Sequence, residues 1–429
     1  MSARSAVSRS ASVGLVALVT ACGSSEAIGT ARVDASSPVD AARHVDVATH
    51  FDAVTREDAI AQTDSTVARD AGTDAVSDDA GSPESGAHDA RSSTVDAHDA
   101  EVDAGGCPKG CPTGYTCGTA NGLPVCRAPS GIPLFSHVFI IMEENTSLST
   151  LVSSITANAA PSFAALRAKY ASGAEYHGVT HPSLPNYIAL TSGSPQGIGC
   201  DCAAQAGQGT CNALTCNLVL GSCTCSQSAT NLADQLETGG KTWTAFGEGM
   251  GTPCNLVDNT NTNYAVRHVP FLYYDDIQTN ASRCATHVVD YSSFTPATAP
   301  QFTYIAPNLI DDMHSPFPAT QGNITSGDTW IAPVVAKITA SSAYTDGGLF
   351  VIVWDEDDDS GGITGSNDPV PIFVLSPYAK SGGYMSMATM DHYSLLATIE
   401  DGLDLPRLGN AGVSRPSTAD TLADYFPSN

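Results

Sequence analysis

Positive charge is what this sequence has least of. Lysine and arginine together number 18 against 45 aspartates and glutamates, a net charge of −27. A chain that grips nucleic acid needs a clustered basic face with interleaved aromatics, and none can be drawn here, so nucleic-acid binding is excluded. Long apolar runs are missing as well. After residue 22 none approaches the roughly 18 residues that cross a bilayer, so the mature chain carries no spanning helix. Large apolar side chains almost vanish between residues 23 and 106, where Phe51 is the single aromatic. That stretch sets about 18 acidic residues against about 5 basic ones, in repeated steps such as Asp89-Ala90, Asp96-Ala97 and Asp99-Ala100. It has too little to bury to offset its ordering entropy, and reads as a disordered, self-repelling acidic linker.

Cysteine, by contrast, is plentiful at 13 residues. The first belongs to an export signal over residues 1–22: Arg4 and Arg9 supply positive charge, Val13 to Val19 an apolar core, and Val19-Thr20-Ala21-Cys22 the ending. The pattern resembles bacterial lipoprotein signals, which implies a lipid anchor on Cys22 at the outer membrane or cell surface; a plain signal leading to a periplasmic or secreted protein is the alternative. Twelve cysteines then remain, an even number that suits an oxidising compartment. Cys107, Cys111, Cys117 and Cys126 mark a small module over 107–127 with two expected disulfides. The others are Cys200, Cys202, Cys211, Cys216, Cys223, Cys225, Cys254 and Cys284. Six of these crowd residues 200–225, where zinc competes with disulfides as a reading. The Cys-x-x-Cys spacing of zinc sites is absent, which favours disulfides.

Residues 131–429 are long enough for one large domain. Strand-length apolar runs recur at 137–142 (HVFIIM), 242–246, 302–305, 349–354 (LFVIVW) and 370–375. Continuous apolar runs suit strands buried on both faces, the habit of parallel sheets. Helical patterns lie at 160–171, 229–239, 328–341 and 392–402. The alternation predicts an α/β fold, a mostly parallel central sheet sandwiched by helices, with its site beyond the C-terminal strand ends.

The candidate chemistry falls there. HVFIIM runs into Glu143-Glu144-Asn145, and LFVIVW into Asp355-Glu356-Asp357-Asp358-Asp359. Oxygen ligands of this kind suit Mg²⁺, Ca²⁺ or Mn²⁺. Ligation is expected of Asp355 and Glu356, whereas at least two of residues 357–359 read as a solvated acidic loop. The third element is Thr180-His181-Pro182-Ser183-Leu184-Pro185-Asn186-Tyr187, a two-proline turn before a short apolar helix. Ser183 there is either an N-cap or a nucleophile beside the free N–H groups of a helix start, where a phosphate can dock.

Eight blocks in order carry a resemblance: MEEN (142–145), THPSLPNYIALTSG (180–193), TWTAFGEGM (242–250), RHVPFLYY (267–274), APNLIDDMH (306–314), GDTWIAPVVAKI (327–338), FVIVWDEDD (350–358) and DHYSLLATIED (391–401). The chain resembles the bacterial phosphoesterase family of acid phosphatases and phospholipases C, with its alkaline-phosphatase-like fold. The resemblance implies one divalent metal ion held by Glu144, Asn145, Ser183, Asp355 and Glu356, with Glu143 competing for the place of Glu144. It implies Ser183 as nucleophile, passing through a phosphoserine. His268 and His314 would bind phosphoryl oxygens or protonate the leaving group. His181 either shares that work or is structural, and His392 is a candidate for a supporting place; His177 and His287 read as ordinary. The expected substrate is a small phosphate monoester. Phospholipase C action on lipid headgroups, or a non-catalytic surface protein on the same fold, are the alternatives, and the lipid anchor is the only membrane contact expected.

Overall fold

The computed structural model describes residues 106–107, 110–205, 225–314, 323–358 and 367–428. The expected export signal with Cys22, the acidic stretch up to residue 105, and Cys211, Cys216 and Cys223 lie outside the described residues.

The described chain opens with a hairpin, β1 (Thr116–Ala120) against β2 (Leu123–Arg127), paired in antiparallel register with Cys117 opposite Cys126. Asn121 and Gly122 turn it, both at positive φ (51° and 77°), the backbone that a two-residue hairpin loop requires. Disulfides Cys107–Cys117 and Cys111–Cys126 staple it, as expected. The hairpin also docks on the following domain. Asn121 Nδ2 donates to the carbonyls of Pro377 (2.9 Å) and Ala379 (2.7 Å), and the Tyr115 hydroxyl donates to the Asp401 carbonyl.

Ten further strands follow: β3 (Val138–Glu143), β4 (Ala171–Gly173), β5 (Tyr176–His177), β6 (Trp243–Gly247), β7 (Val288–Asp290), β8 (Phe302–Ala306), β9 (Leu349–Trp354), β10 (Ile372–Leu375), β11 (Met385–Ser386) and β12 (Met390–Asp391). Eight of them form one sheet in the order β11-β4-β10-β9-β3-β8-β6-β7. From β9 to β7 every neighbour is parallel; β10 alone runs antiparallel to both its neighbours. The helices are α1 (Leu148–Thr156), α2 (Pro161–Lys169), α3 (Ser183–Ser192), α4 (Leu232–Thr238), α5 (Asp275–Gln278), α6 (Ala281–His287), α7 (Ile324–Thr339), α8 (Ser342–Thr345) and α9 (His392–Gly402). They gather into two groups, α3 packing with α4 and α9, and α2 with α1 and α7. The fold class read from the sequence is the one observed.

The apolar runs explain the centre of the sheet. Every residue of β3 and of β9 is buried, and complete burial of each large apolar side chain contributes about 1.5–3 kcal/mol. Helix boundaries moved where caps decide them. The helix expected from residue 328 begins at Ile324, because Asn323 accepts the Thr325 and Ser326 N–H groups. That expected over 160–171 stops at Lys169, and the chain turns into β4. The two-residue strands β5, β11 and β12 were invisible to periodicity. No helix of the described residues is long and apolar enough to cross a membrane.

Glu400 on α9 is fully buried and accepts the Leu408 N–H at 2.7 Å; burial pushes its carboxyl up to about 8. A raised folded value means stability that is fully present below the ordinary value near 4.5 and lost as pH climbs through about 8. Glu400→Gln keeps the acceptor and removes the charge, so its melting temperature should rise relative to the native chain between about pH 5 and about pH 9. Parallel curves over that range in thermal unfolding would assign the burden elsewhere.

Candidate active site

Strands β3 and β9 are parallel neighbours in register, with Glu143 opposite Trp354, so both acidic turns emerge side by side at the C-terminal end of the sheet. They are also tied together. Asp355 N donates to the Glu143 carbonyl (3.1 Å), and Asn145 N donates to Asp355 Oδ1 (3.0 Å). Asn145 has left strand geometry at φ 34°, which frees its side chain to face the same point as Glu144. Register separates the two candidate glutamates as strand alternation demands. Glu144 reaches Ser183, whereas Glu143 is sealed away with neither carboxylate oxygen hydrogen-bonded, its carboxyl pushed well up by burial and by Asp312, Asp311 and Glu248.

Ser183 is the first residue of α3. The N-cap is Pro182, whose ring carries no hydrogen-bonding group, so the serine is not the cap and its hydroxyl points elsewhere. Oγ stands 3.3 Å from Glu144 Oε2, 3.2 Å from Asn145 Oδ1 and 3.3 Å from Glu356 Oε1. The turn before it is built by Asn186. Its Oδ1 accepts the N–H groups of Val179 (2.8 Å) and Thr180 (3.1 Å), and its Nδ2 donates to the Thr180 carbonyl (2.7 Å) and to Glu356 Oε2 (3.2 Å). One amide thereby joins the serine's turn to the second acidic turn. Gly178 allows their close approach: a Cβ there would lie 2.8 Å from the Asp355 carbonyl oxygen.

Glu144, Asp355 and Glu356 are all buried, which makes the electrostatics severe. Burial alone would raise Glu144, yet contact with His268 outweighs it and holds the carboxyl at about 2. Burial pushes Glu356 up to about 7 against the pull of His181, and drives Asp355 well above its ordinary range, with Glu144 and Glu356 adding to the shift. Asp355 Oδ2 is buried without a hydrogen-bond partner. Two buried carboxylates, Glu144 and Glu356, meet an amide oxygen at the Ser183 hydroxyl, and Asp355, tied to Asn145 N, adds an orphaned buried oxygen next to them; this all-oxygen donor set suits a hard divalent cation.

The histidines divide by what they touch. His268 Nε2 lies 2.8 Å from Glu144 Oε1 and Nδ1 lies 3.8 Å from Asp312 Oδ2, while its ring stacks on Tyr187. The Tyr187 hydroxyl donates to Glu144 Oε1 at 3.0 Å. His314, two residues past Asp312, is half-buried; burial lowers its pKa, against an upward pull from Glu144. His181 Nδ1 sits 2.9 Å from Glu356 Oε2. His392 is fully buried, bonded to the Tyr176 hydroxyl (2.9 Å) and to the Asp355 carbonyl (2.6 Å), with its pKa lowered to about 4 by burial. It supports the second acidic turn from behind. His177 and His287 bond backbone carbonyls away from the serine.

Of the acidic run 357–359, Asp357 is the member that packs inward, and Asp359 lies outside the described residues. Asp357 is buried, not solvated, and accepts the Asp368 N–H at 2.7 Å; Asp358 is half-buried and accepts the Thr150 hydroxyl. Five residues around the serine had been assigned no role: Asn186, Tyr187, Asp312, Arg267 and Asp201. Asn186 and Tyr187 carried a usable signal, since positions three and four after Ser183 share its helix face. All described cysteines are disulfide-bonded, Cys202–Cys225 and Cys254–Cys284 among them, so zinc is not their role.

With this geometry in view, the comparisons are direct. The Phosphoesterase family profile matches residues 147–406. This chain belongs to the phosphoesterase family. It is a hydrolase of phosphoric esters. A phosphatidylinositol-3-phosphatase from Mycobacterium tuberculosis is 30% identical over 295 residues, covering 68% of this chain and 84% of that protein. An acid phosphatase from Aspergillus fumigatus is 26% identical over 246 residues, and the phosphoesterase spans about half of it (48%). An alkaline phosphatase superfamily protein from Vibrio parahaemolyticus aligns over 71% of this chain and 76% of its own at TM-score 0.43 and 12% identity, too distant for any argument about the site.

Removing the Asn186 side chain leaves two N–H groups and a buried carboxylate oxygen without their partner. Asn186→Ala should therefore cost about 1–3 kcal/mol or more in denaturant unfolding, and a variant as stable as the native chain would show that the turn holds itself.

Proposed function

We propose that this phosphoesterase is an exported, metal-dependent phosphatase that hydrolyses phosphate monoesters through Ser183. The observation that carries the reading is the hydroxyl of Ser183 standing 3.2–3.3 Å from oxygens of Glu144, Asn145 and Glu356. No nearby histidine or lysine takes its proton in the described residues, so activation falls to the oxygen-lined site. The ion would be held by Glu144, Asn145, Ser183, Asp355 and Glu356; when bound, Mg²⁺, Ca²⁺ or Mn²⁺ favours the alkoxide and offsets the charge of the phosphoryl oxygens.

Ser183 Oγ attacks phosphorus and its proton passes to one of the carboxylates it already donates to, Glu144 or Glu356; the bond from phosphorus to the ester oxygen breaks, and the departing alkoxide takes up a proton. His268 or His314 supplies that proton or a hydrogen bond to a phosphoryl oxygen. Water then attacks the phosphoserine, releasing inorganic phosphate and restoring the serine. His268 is oriented for either task by its position between Glu144 and Asp312 and by the Tyr187 ring. His181 contributes through Glu356 in this reading.

Both relatives named above are phosphatases by name, which supports monoester hydrolysis over phospholipase C action. A non-catalytic role is opposed by the intact cluster around Ser183. Disulfides throughout the described cysteines support export, and lipid anchoring through Cys22, with no other membrane contact, completes the proposal.

The test compares p-nitrophenyl phosphate, bis-p-nitrophenyl phosphate and p-nitrophenylphosphorylcholine, with EDTA and with each of the three ions added. Monoester turnover should need the ion and should fall by on the order of 10³-fold or more in Ser183→Ala. Preference for the choline ester would move the chain to phospholipase C action. Folded protein that turns over no ester would end the reading.

A further inference from the structure

The N-terminus of α3 is capped from a distance. Pro182 supplies no side-chain cap, and Leu184 N, one residue past the serine, donates to Asp201 Oδ1 at 2.9 Å. A helix start beside a nucleophile is where phosphoryl oxygens are best received. Here a carboxylate already occupies that position. Its other oxygen lies 4.0 Å from Arg267 Nε. Arg267 sits next to His268 on a 3-10 turn (Val266–His268). Both side chains remain partly open, Asp201 at 34% and Arg267 at 24%, so a ligand can reach them.

Asp201 is also fastened in place. Its neighbours Cys200 and Cys202 are both disulfide-bonded, the latter to Cys225, and the Cys202 carbonyl accepts the hydroxyl of buried Tyr273 at 2.8 Å. Cys225 N closes the loop on the Ala203 carbonyl at 2.9 Å. The cysteine-rich excursion therefore presents one acid to one N–H and one arginine beside the reactive serine.

We propose that Asp201 is a specificity-determining residue, an internal anion that the substrate's terminal phosphoryl group must displace to gain the Leu184 N–H and Arg267. The proposal rests on Ser183 being the site of phosphoryl attack. Its chemical consequence is discrimination by charge. A monoester dianion exchanges favourably with a single carboxylate for a guanidinium fork, whereas a diester brings one charge and a second bulky substituent. A simple helix cap would give Asp201 a stability role and no influence on anion affinity.

Inorganic phosphate is the probe, titrated by calorimetry into the full chain with Mg²⁺, Ca²⁺ or Mn²⁺ in turn, beside KM and kcat on the monoester and diester. Asp201→Asn retains an acceptor for Leu184 N–H and removes the charge; it should bind phosphate about 3- to 30-fold tighter and lower the monoester KM in step, with kcat within about 2-fold. Arg267→Gln should weaken phosphate by about 10-fold or more and narrow the preference for monoester over diester. The double variant should lose the gain made by Asp201→Asn, because the two residues act on one oxygen set. Unchanged or weaker phosphate binding in Asp201→Asn overturns the proposal while leaving ester hydrolysis by the native chain untouched. Tighter binding in a chain that turns over no ester would uphold it and remove the phosphatase reading instead. Should Asp201→Asn fail to fold, Arg267→Gln decides alone, and undiminished phosphate affinity there overturns the proposal.

Discussion

Three carboxylates buried in two adjoining turns, two of them on one serine hydroxyl, are the constraint on which this structure turns. Glu144, Asp355 and Glu356 have almost no contact with solvent, so their repulsion is not screened as it would be at a surface. The protein answers unevenly. His268 keeps Glu144 ionised with its carboxyl at about 2, while Glu356 stands at about 7 and Asp355 higher than usual under burial. A divalent cation bound there would relieve that imbalance, and Ser183 Oγ is directed among the same oxygens instead of toward its own helix.

The surrounding structure reads as support for that cluster. In-register pairing of β3 and β9 delivers the two acidic turns to one edge, and Asn186 and Gly178 let the serine's turn close on them. From behind, His392 on α9 holds the Asp355 carbonyl, and Tyr176 holds His392. Each support is itself fully buried, which matters because a site must be held to within a fraction of an ångström by groups that cannot move. Disulfides take over where regular structure ends: Cys202–Cys225 and Cys254–Cys284 brace the irregular segments that flank α3 and β7.

Much of the fold was legible in residue order. The runs HVFIIM and LFVIVW are apolar at every position, which only a strand covered on both faces permits, and both became central strands. The acidic residues directly after them had to lie at strand ends for the same reason. The Ser183 block, the Glu144-Asn145 pair and Asp355-Glu356 could be matched piece by piece. Asp357 could not, because an acidic run looks solvated until a packed neighbour such as Asp368 N–H is known to receive one of its members. Asp312 and Arg267 were passed over for a similar reason. Nothing in their spacing says which carboxylate or which cation will face the serine.

Residue order by itself determined the sheet and the chemistry available at its edge, because burial periodicity and ligand type are local properties; the class of reaction was implied by the resemblance that its eight blocks carry. Tertiary structure alone decided that Glu144 and not Glu143 faces the serine, since one step of strand register reverses the side chain. It alone turned His392 into a buried support and placed Asp201, from a disulfide-bound excursion, on the helix start beside Ser183. Those contacts join residues far apart in the chain, and only packing brings them within hydrogen-bond reach.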